Sequence, residues 1–502
     1  MPLPSHVSVA VIGSGFAGLG AAIALKKAGR HDFVVLERAD DVGGTWRDNT
    51  YPGCACDVPS HVYSFSFAPN PSWSRSFSPQ PEIQAYLQKT AADHDLAPHL
   101  HFGAELLSAT WVPSEQYWEL TTAQGPLTAN VLVAGTGPLS EPRDPEIPGL
   151  ATFTGTMFHS ARWDHSWSPE GRRVAVIGTG ASAIQFVPHL QPSAEKLVLF
   201  QRTAPWVLPR WDRAIKPWQQ ALFAKVPLLQ KAARTGIYWG RESHILGFRY
   251  SQRLMRTAEK AARKNLHDQV ADPVLRAKLT PTFTLGCKRV LLSNTYYRAL
   301  DQPNAEVVTD RIVEIVPTGV VTEAADGTRT THEVDTLVLG TGFSVTDPPV
   351  AARIHAGGES LREHWAESGM QALHGLTVAG FPNLFFLVGP NTGLGHNSIV
   401  LMIEAQVGHL LQALDAMDTQ GMGALQPRVQ VQEAYNVDLQ EQLAKTVWNR
   451  GGCQSWYLDK RGRNTTLWPT FTFTFIRELA GFDLAEYDVQ PAVRREVKAP
   501  AA

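Results

Sequence analysis

The sequence predicts an α/β protein made of two nested Rossmann-like domains, the second carrying a helical insertion. Three observations support that reading. A strand, a GxGxxG turn and a helix open the chain at Gly13-Ser-Gly15-Phe16-Ala-Gly18. The same unit returns at Gly178-Thr179-Gly180-Ala-Ser182-Ala183. Each is followed downstream by an apolar strand ending in GTG, Leu132-Val-Ala-Gly-Thr-Gly137 and Leu337-Val-Leu-Gly-Thr-Gly342. A turn of this kind lets backbone approach a pyrophosphate at a helix N-terminus, which makes both units dinucleotide-binding domains.

Length and composition agree with that class. A chain of 502 residues is long enough for about three domains of ~150 residues each. With 44% hydrophobic and 18% charged residues and a formal net charge of −2, it carries no signature of disorder or of nucleic-acid binding. The N-terminus runs straight into an apolar strand without the basic flank and cleavage site of a secretory signal. No window holds about 18 uninterrupted apolar residues, so no membrane span is expected and a cytoplasmic location is the default. Four cysteines, at 54, 56, 287 and 453, make neither a disulfide framework nor a zinc pattern, and no metal site is expected. The Cys54-x-Cys56 pair leaves a redox-active reading open, although CxxC is the usual spacing for one.

In chain order, the first unit has a strand at His6–Ile12, a helical pattern over Leu19–Ala28 and a second strand at Phe33–Leu36. That strand ends in Glu37, twenty-four residues after Gly13, where a carboxylate accepts from ribose hydroxyls. The second unit has strands at Arg173–Ile177 and Lys196–Phe200 with a helix to His189 between them. The same count from Gly178 lands on Arg202. A guanidinium pairs with a 2'-phosphate that a carboxylate would repel, so the second site should prefer NADP(H).

The spacing from Gly13 to Gly135 is 122 residues and from Gly178 to Gly340 is 162, so the second unit carries about 40 extra residues. The insertion falls at Trp211 to Thr280, a helical stretch with 14 Lys or Arg against 5 Asp or Glu. That excess suits a solvated helix face, with a partner or membrane surface as the alternative. A last apolar strand, Leu384 to Val388, leads into the Gly-rich turn Gly389–Ser398 and a helix, which closes the first domain. The expected domains are 1–140 with 343–502, binding the first dinucleotide, and 141–210 with 281–342, binding the second. Residues 211–280 form the insertion, and a C-terminal loop lies near the cofactors.

Phe153-x-Gly155-x-x-x-His159-x-x-x-Trp163-Asp164 resembles the fingerprint of type I Baeyer-Villiger monooxygenases, in the variant with Asp after Trp. Gly43-Gly44-Thr45-Trp46, continuing to Tyr51-Pro-Gly53 and Asp57, is similar to the second hallmark of that family. With Asp335-x-x-x-Leu339-x-Thr341-Gly-Phe343, the resemblance covers most of the chain to about residue 410. It implies FAD at the first site, NADPH at the second, and conversion of a ketone and O2 to an ester or lactone through a C(4a)-peroxyflavin.

That chemistry needs a fixed cation beside a peroxide, and arginine stays charged at any working pH. Gly286-Cys-Lys288-Arg289 resembles the family segment that carries it, which makes Arg289 the catalytic candidate and Lys288 a second cation on the 2'-phosphate. By the same resemblance Asp57 orients Arg289, although an Asp before Val58-Pro59 also suits a turn cap. Thr45, Trp46 and Tyr63 resemble flavin contacts, and Ala55, Cys56, Thr179, Ser182, Gln185 and Thr203 resemble NADP contacts. His159 reads as a hinge or orienting residue of an interdomain joint, and Trp163 as packing. Ser455-Trp456-Tyr457 resembles the mobile loop that touches the nicotinamide cofactor, but the sequence after it departs from the better-known members. Leu394 and Gly395 fall where the family shapes its substrate pocket.

Two other readings stay open: a flavin N- or S-monooxygenase on the same scaffold, and an NADPH oxidase or electron-transfer reductase. The expected partners are a small-molecule ketone and O2, and the expected state is a monomer or weak oligomer.

Overall fold

The computed structural model describes residues 2–493; Met1 and the end of the 343–502 segment, residues 494–502, lie outside the described residues. β1 (His6–Ile12) is buried from Val9 onward, as a strand covered on both faces must be, and runs parallel to β2 (Phe33–Leu36). Between them, α1 (Phe16–Lys27) begins three residues before the apolar pattern predicts, because its first turn is the end of the glycine loop. An antiparallel meander follows: β3 (Leu106–Val112), β4 (Tyr117–Thr122) and β5 (Gly125–Ala134). β5 is long because it serves two pairings. Its first half joins β4 antiparallel, and it also runs parallel to β1, which brings Ala134 beside Ile12.

The second unit is a five-stranded, all-parallel sheet. It contains β6 (Thr156–His159), β7 (Arg173–Ile177), β8 (Lys196–Phe200), β9 (Ala305–Val308) and β10 (Thr336–Leu339), in the order β9-β8-β7-β10-β6. α2 (Ala183–Leu190) links β7 to β8. The duplication read from the two GTG strands is repeated hydrogen bond by hydrogen bond. Gly13 N donates to Leu36 O (2.8 Å) as Gly178 N does to Phe200 O (3.3 Å). Gly135 N donates to Ile12 O as Gly340 N does to Ile177 O, both at 2.9 Å.

Within 211–280 the chain is helical: α3 (Pro217–Lys225), α4 (Pro227–Glu242), α5 (Gln252–Gln269) and α6 (Pro273–Lys278). α4 crosses onto the first unit. Gln230 Nε2 donates to Asn70 O (2.7 Å), and Arg234 donates to the carbonyls of His61 (2.7 Å) and Ser64 (2.9 Å). These bonds satisfy loop carbonyls that no strand ladder reaches.

The chain then returns to the first sheet through β11 (Phe381–Phe386), parallel to β5. β11 ends two residues short of the predicted Val388, whose φ of +60° takes it out of extended geometry. α7 (Ile399–Gln420) starts at a cap in which Ser398 Oγ accepts from Val400 N. Its 22 residues are apolar and long enough to cross a membrane, yet half of its apolar window is buried inside the protein, with α1 among its neighbours.

The cysteine count foresaw no disulfide framework, and one disulfide is present. Cys287 and Cys453 are bonded across 166 residues with their Cα atoms 6.1 Å apart. Sequence spacing does not reveal which distant cysteines meet in space. Cys54 and Cys56 are free, buried thiols.

Candidate active site

The first glycine turn is closed by backbone packed on backbone. A Cβ on Gly18 would lie 1.8 Å from Gly13 O, so no side chain fits there. Gly44, at φ +53°, packs its backbone on Gly15 and brings the second hallmark motif against the turn. Phe16 is turned away into an aromatic cluster, its ring 5.1 Å from Tyr63 and 5.2 Å from Phe65. Thr45 begins the short helix after Gly44, and Trp46 Nε1 donates to Tyr63 Oη at 3.0 Å, fixing both rings.

Glu37 is buried and accepts from Ser14 N (3.0 Å), Ser14 Oγ (2.7 Å) and Ala39 N (3.0 Å), while Arg47 pairs with it at 3.0 Å. Burial pushes its carboxyl up, but Arg47 and these donors outweigh burial and hold it below the usual range, so it is ionised.

The second turn repeats the geometry. Gly178 has φ +113°, and a Cβ there would sit 2.3 Å from Gly340 O. Gly180 has open space around its Cβ position, and Ala183 is fully buried. Thr179 Oγ1 donates to Thr203 O (3.2 Å), tying the turn to the strand end that carries Arg202. Arg202 is exposed and makes no ion pair among the described residues. Lys288 lies 5.1 Å over the Phe283 ring; burial lowers its amine pKa and the Arg202 charge lowers it further. Arg202 and Lys288 therefore act on each other as two neighbouring cations.

The Tyr51–Asp57 hallmark is the seam between the units. Gln185 of α2 donates to Ala55 O (2.9 Å) and accepts from Ala55 N (3.2 Å) and Tyr51 Oη (3.1 Å). Gly53, at φ +78°, has room only for hydrogen: a Cβ would meet His189 Nε2 at 2.5 Å and Gln185 O at 2.9 Å. Ser182 precedes α2 without a side-chain cap bond. Burial pushes the Cys54 thiol up to about 12 and raises that of Cys56 as well, so neither is a thiolate and a redox pair is not supported.

At the end of this seam Arg289 meets Asp57. Nε donates to Oδ2 at 2.6 Å and NH2 to Oδ1 at 2.5 Å, a fork-on-fork pair. Burial raises the Asp57 carboxyl pKa, but Arg289 wins and holds it below the usual range, with Arg241 adding to the effect. The Asp57 charge in turn raises Arg289 above the ordinary arginine value.

Two residues that the motifs did not single out act on this pair. Arg241, in the last turn of α4, is one. Tyr457 is the other: its hydroxyl is pushed up to about 12 by burial, and Arg289 works against that rise. Tyr457 is 1% exposed, whereas Trp456 is 43% exposed with its ring 4.4 Å from that of Tyr457. A basic residue in a long helical insertion carries no motif, so Arg241 had no signal beyond the local charge excess. Tyr457 stood inside the quoted Ser455-Trp456-Tyr457 loop. Leu394 is buried, and a Cβ on Gly395 would press on the Trp448 ring at 2.7 Å.

The 153–164 motif runs through the edge strand β6. Gly155 is pinned between Asp335 O and the Phe153 ring, where a Cβ would lie 2.4 and 2.7 Å from them. His159 pairs in register with Leu339, accepts at Nδ1 from Ala161 N (3.1 Å), and is held neutral by burial. Trp163 stacks edge-on against Phe158 (5.0 Å) and reaches Phe186 of α2 (5.5 Å). Asp164 caps a turn by accepting from Ser166 N (2.9 Å) and Oγ (2.6 Å).

Comparison with known proteins agrees with this geometry. Residues 6–259 match the profile described as flavin-binding monooxygenase-like. A Baeyer-Villiger monooxygenase of Streptomyces coelicolor is 53% identical over 500 residues, which is 99% of this chain and 95% of that protein. Cyclohexanone monooxygenase from Rhodococcus sp. Phi1 bound to NADP+ superposes with a TM-score of 0.84 at 28% identity, covering 98% of this chain and 100% of that one. OTEMO in complex with FAD and NADP gives a TM-score of 0.83 at 25% identity, covering 96% and 99%.

Proposed function

The chain belongs to the flavin-binding monooxygenase-like family, beside Baeyer-Villiger monooxygenases, and from that premise we propose how its residues carry out the oxygenation. The protein is an FAD- and NADPH-dependent Baeyer-Villiger monooxygenase. A ketone, O2, NADPH and a proton give an ester or lactone, NADP+ and water. Bound FAD would supply the acceptor for the NADPH hydride and the place where O2 is activated.

The residues present fit both groups. The turn Gly13, Gly15, Gly18 at the start of α1 offers backbone amides to the FAD pyrophosphate, with ionised Glu37 at the ribose end. Gly44, Thr45, Trp46, Phe16 and Tyr63 form the wall toward the flavin ring, and Phe16 acts there through packing. Gly178, Thr179, Gly180, Ser182 and Ala183 form the NADP turn. Exposed Arg202, with Lys288 beside it and Thr203 next in chain, meets the 2'-phosphate. Ala55, Cys56 and Gln185 line the seam where the nicotinamide arm crosses, and Trp456 covers it from the C-terminal loop.

The observation that carries the reaction is the Arg289–Asp57 pair. Asp57 fixes the plane of the guanidinium and leaves its remaining donors for the oxygen atom being transferred. Arg289 then holds the negative charge that develops on the oxygen being transferred, and next on the ketone's own oxygen as the tetrahedral centre forms. Leu394 and Gly395 shape the ketone's pocket. Phe153, Gly155, His159, Trp163 and Asp164 make the joint on which the NADP domain moves, with His159 neutral and taking no proton from substrate. In this reading the domains are 1–140 with 343–502 for FAD, and 141–210 with 281–342 for NADP. Residues 211–280 are the helical insertion. The enzyme works in the cytoplasm as a monomer or weak oligomer. The test is product analysis after incubation with NADPH, O2 and a panel of ketones, where an ester or lactone supports the proposal and its absence from every ketone defeats it.

A further inference from the structure

Arg241 is a cation without a bonded partner beside the reaction centre. Among the described residues its guanidinium makes no hydrogen bond and no ion pair, and its Nε is sealed from solvent with no acceptor. The residue next to it is fixed in place. Glu242 accepts from Asn397 Nδ2 (2.8 Å) and Thr472 N (3.0 Å) and lies 3.4 Å from His396 Nε2, so the end of α4 that carries Arg241 is pinned. The opposite charge that acts most on Arg241 is Asp57, and both oxygens of Asp57 are already bonded to Arg289. Asp57 thus acts on two guanidinium groups but bonds only that of Arg289, and Arg241 keeps its donors unbonded among the described residues. A desolvated guanidinium with unused donors is a receptor for a planar anion, which it binds through two parallel hydrogen bonds.

We propose that Arg241 is the subsite for an anionic group on the substrate, and that the enzyme's preferred substrates are ketones carrying a carboxylate. The proposal rests on the Baeyer-Villiger reading and adds the substrate class to it. The rest of the centre is consistent with this. Arg289 is committed to Asp57 and to the transferred oxygen, Arg202 and Lys288 sit at the NADP turn, and Arg210 is bonded to the Cys56 carbonyl, whereas the Arg241 guanidinium is bonded to nothing among the described residues.

The test compares a short methyl ketone carrying a carboxylate a few carbons from its carbonyl with its neutral carboxamide, on the FAD-loaded full-length enzyme and its R241Q and R241K variants. Binding to the oxidised holoenzyme is read from the flavin absorbance change, and turnover from ester produced per NADPH. The wild type should bind and turn over the acid at least tenfold better than the amide. R241Q should lose that tenfold preference through KM, and R241K should recover part of it. Equal handling of acid and amide by the wild type, or an equal loss of both in R241Q, overturns the subsite. An Arg241-dependent preference for binding the acid, without ester from any ketone, upholds the subsite and defeats the Baeyer-Villiger reading instead.

Discussion

Arg289 and Asp57 stand 232 positions apart in the sequence and meet through two hydrogen bonds of 2.6 and 2.5 Å, one segment coming from each of the two dinucleotide-binding units. The pair therefore forms only when the units are docked, and the seam that docks them, Gln185 on Ala55 and Gly53 on α2, is built from the motif that ends in Asp57. Arg289→Ala should leave reduction of the flavin by NADPH measurable in stopped flow while ester formation falls by ~100-fold or more, the scale expected for losing a charge-stabilising donor. Ester formation retained in Arg289→Ala would remove it from the catalytic role.

Coenzyme choice should follow the two cations at the second turn. Arg202→Ala is expected to raise KM for NADPH by about 10–100-fold and that for NADH by far less, since only NADPH carries the 2'-phosphate. Adding Lys288→Ala should cost less than the sum of the single changes, because the two charges act on one group. Equal loss for both coenzymes would reject the phosphate assignment.

The disulfide ties the segment carrying Arg289 to the loop carrying Tyr457, since Cys287 lies two positions before the one and Cys453 four before the other. Thr284 N also donates to Gly451 O at 3.0 Å across the same contact. Cys287→Ser with Cys453→Ser, or treatment with a dithiol, should lower stability by about 2–4 kcal/mol in denaturant titration and speed proteolysis around 453–463. No change in either measurement would show that packing alone holds the loop.

One histidine sets a pH window for stability. His374 is buried between Glu478 (2.7 Å from Nδ1) and Glu486 (2.9 Å from Nε2). Burial lowers its pKa, but the two carboxylates prevail and raise it to about 9. A pKa raised in the folded state stabilises fully below the unfolded value near 6.5 and is lost as pH rises through 9. The Tm should therefore fall between pH 6.5 and 9 by more in the wild type than in His374→Gln. Parallel Tm curves for the two proteins would show that the bonds of His374 to Glu478 and Glu486 add no stability.

Much of this was legible in the sequence wherever the signal is local. The two glycine turns, their strands and the acid or base twenty-four residues on are short-range patterns, and β1, β2, β7 and β8 have the predicted bounds. The doubled GTG strands foretold the duplication, and the structure adds that β5 and β10 lie beside β1 and β7. The meaning of Tyr51-Pro-Gly53 was not legible, because Gly53 is required by contact with His189 and Gln185, more than 130 positions away. The Cys287–Cys453 bond and the approach of Arg241 to Asp57 are likewise products of docking, which no spacing rule encodes.

The central claim is that one atom of O2 enters a ketone at the expense of one NADPH under the control of Arg289. The most direct measurement supplies isotopically labelled O2, NADPH and a ketone to the FAD-loaded enzyme and follows label in the product against NADPH consumed. One labelled oxygen is expected in an ester or lactone for each NADPH consumed, with little hydrogen peroxide. NADPH consumed with stoichiometric peroxide and no ester from any ketone, or label found only in oxidised sulfides or amines, would contradict it.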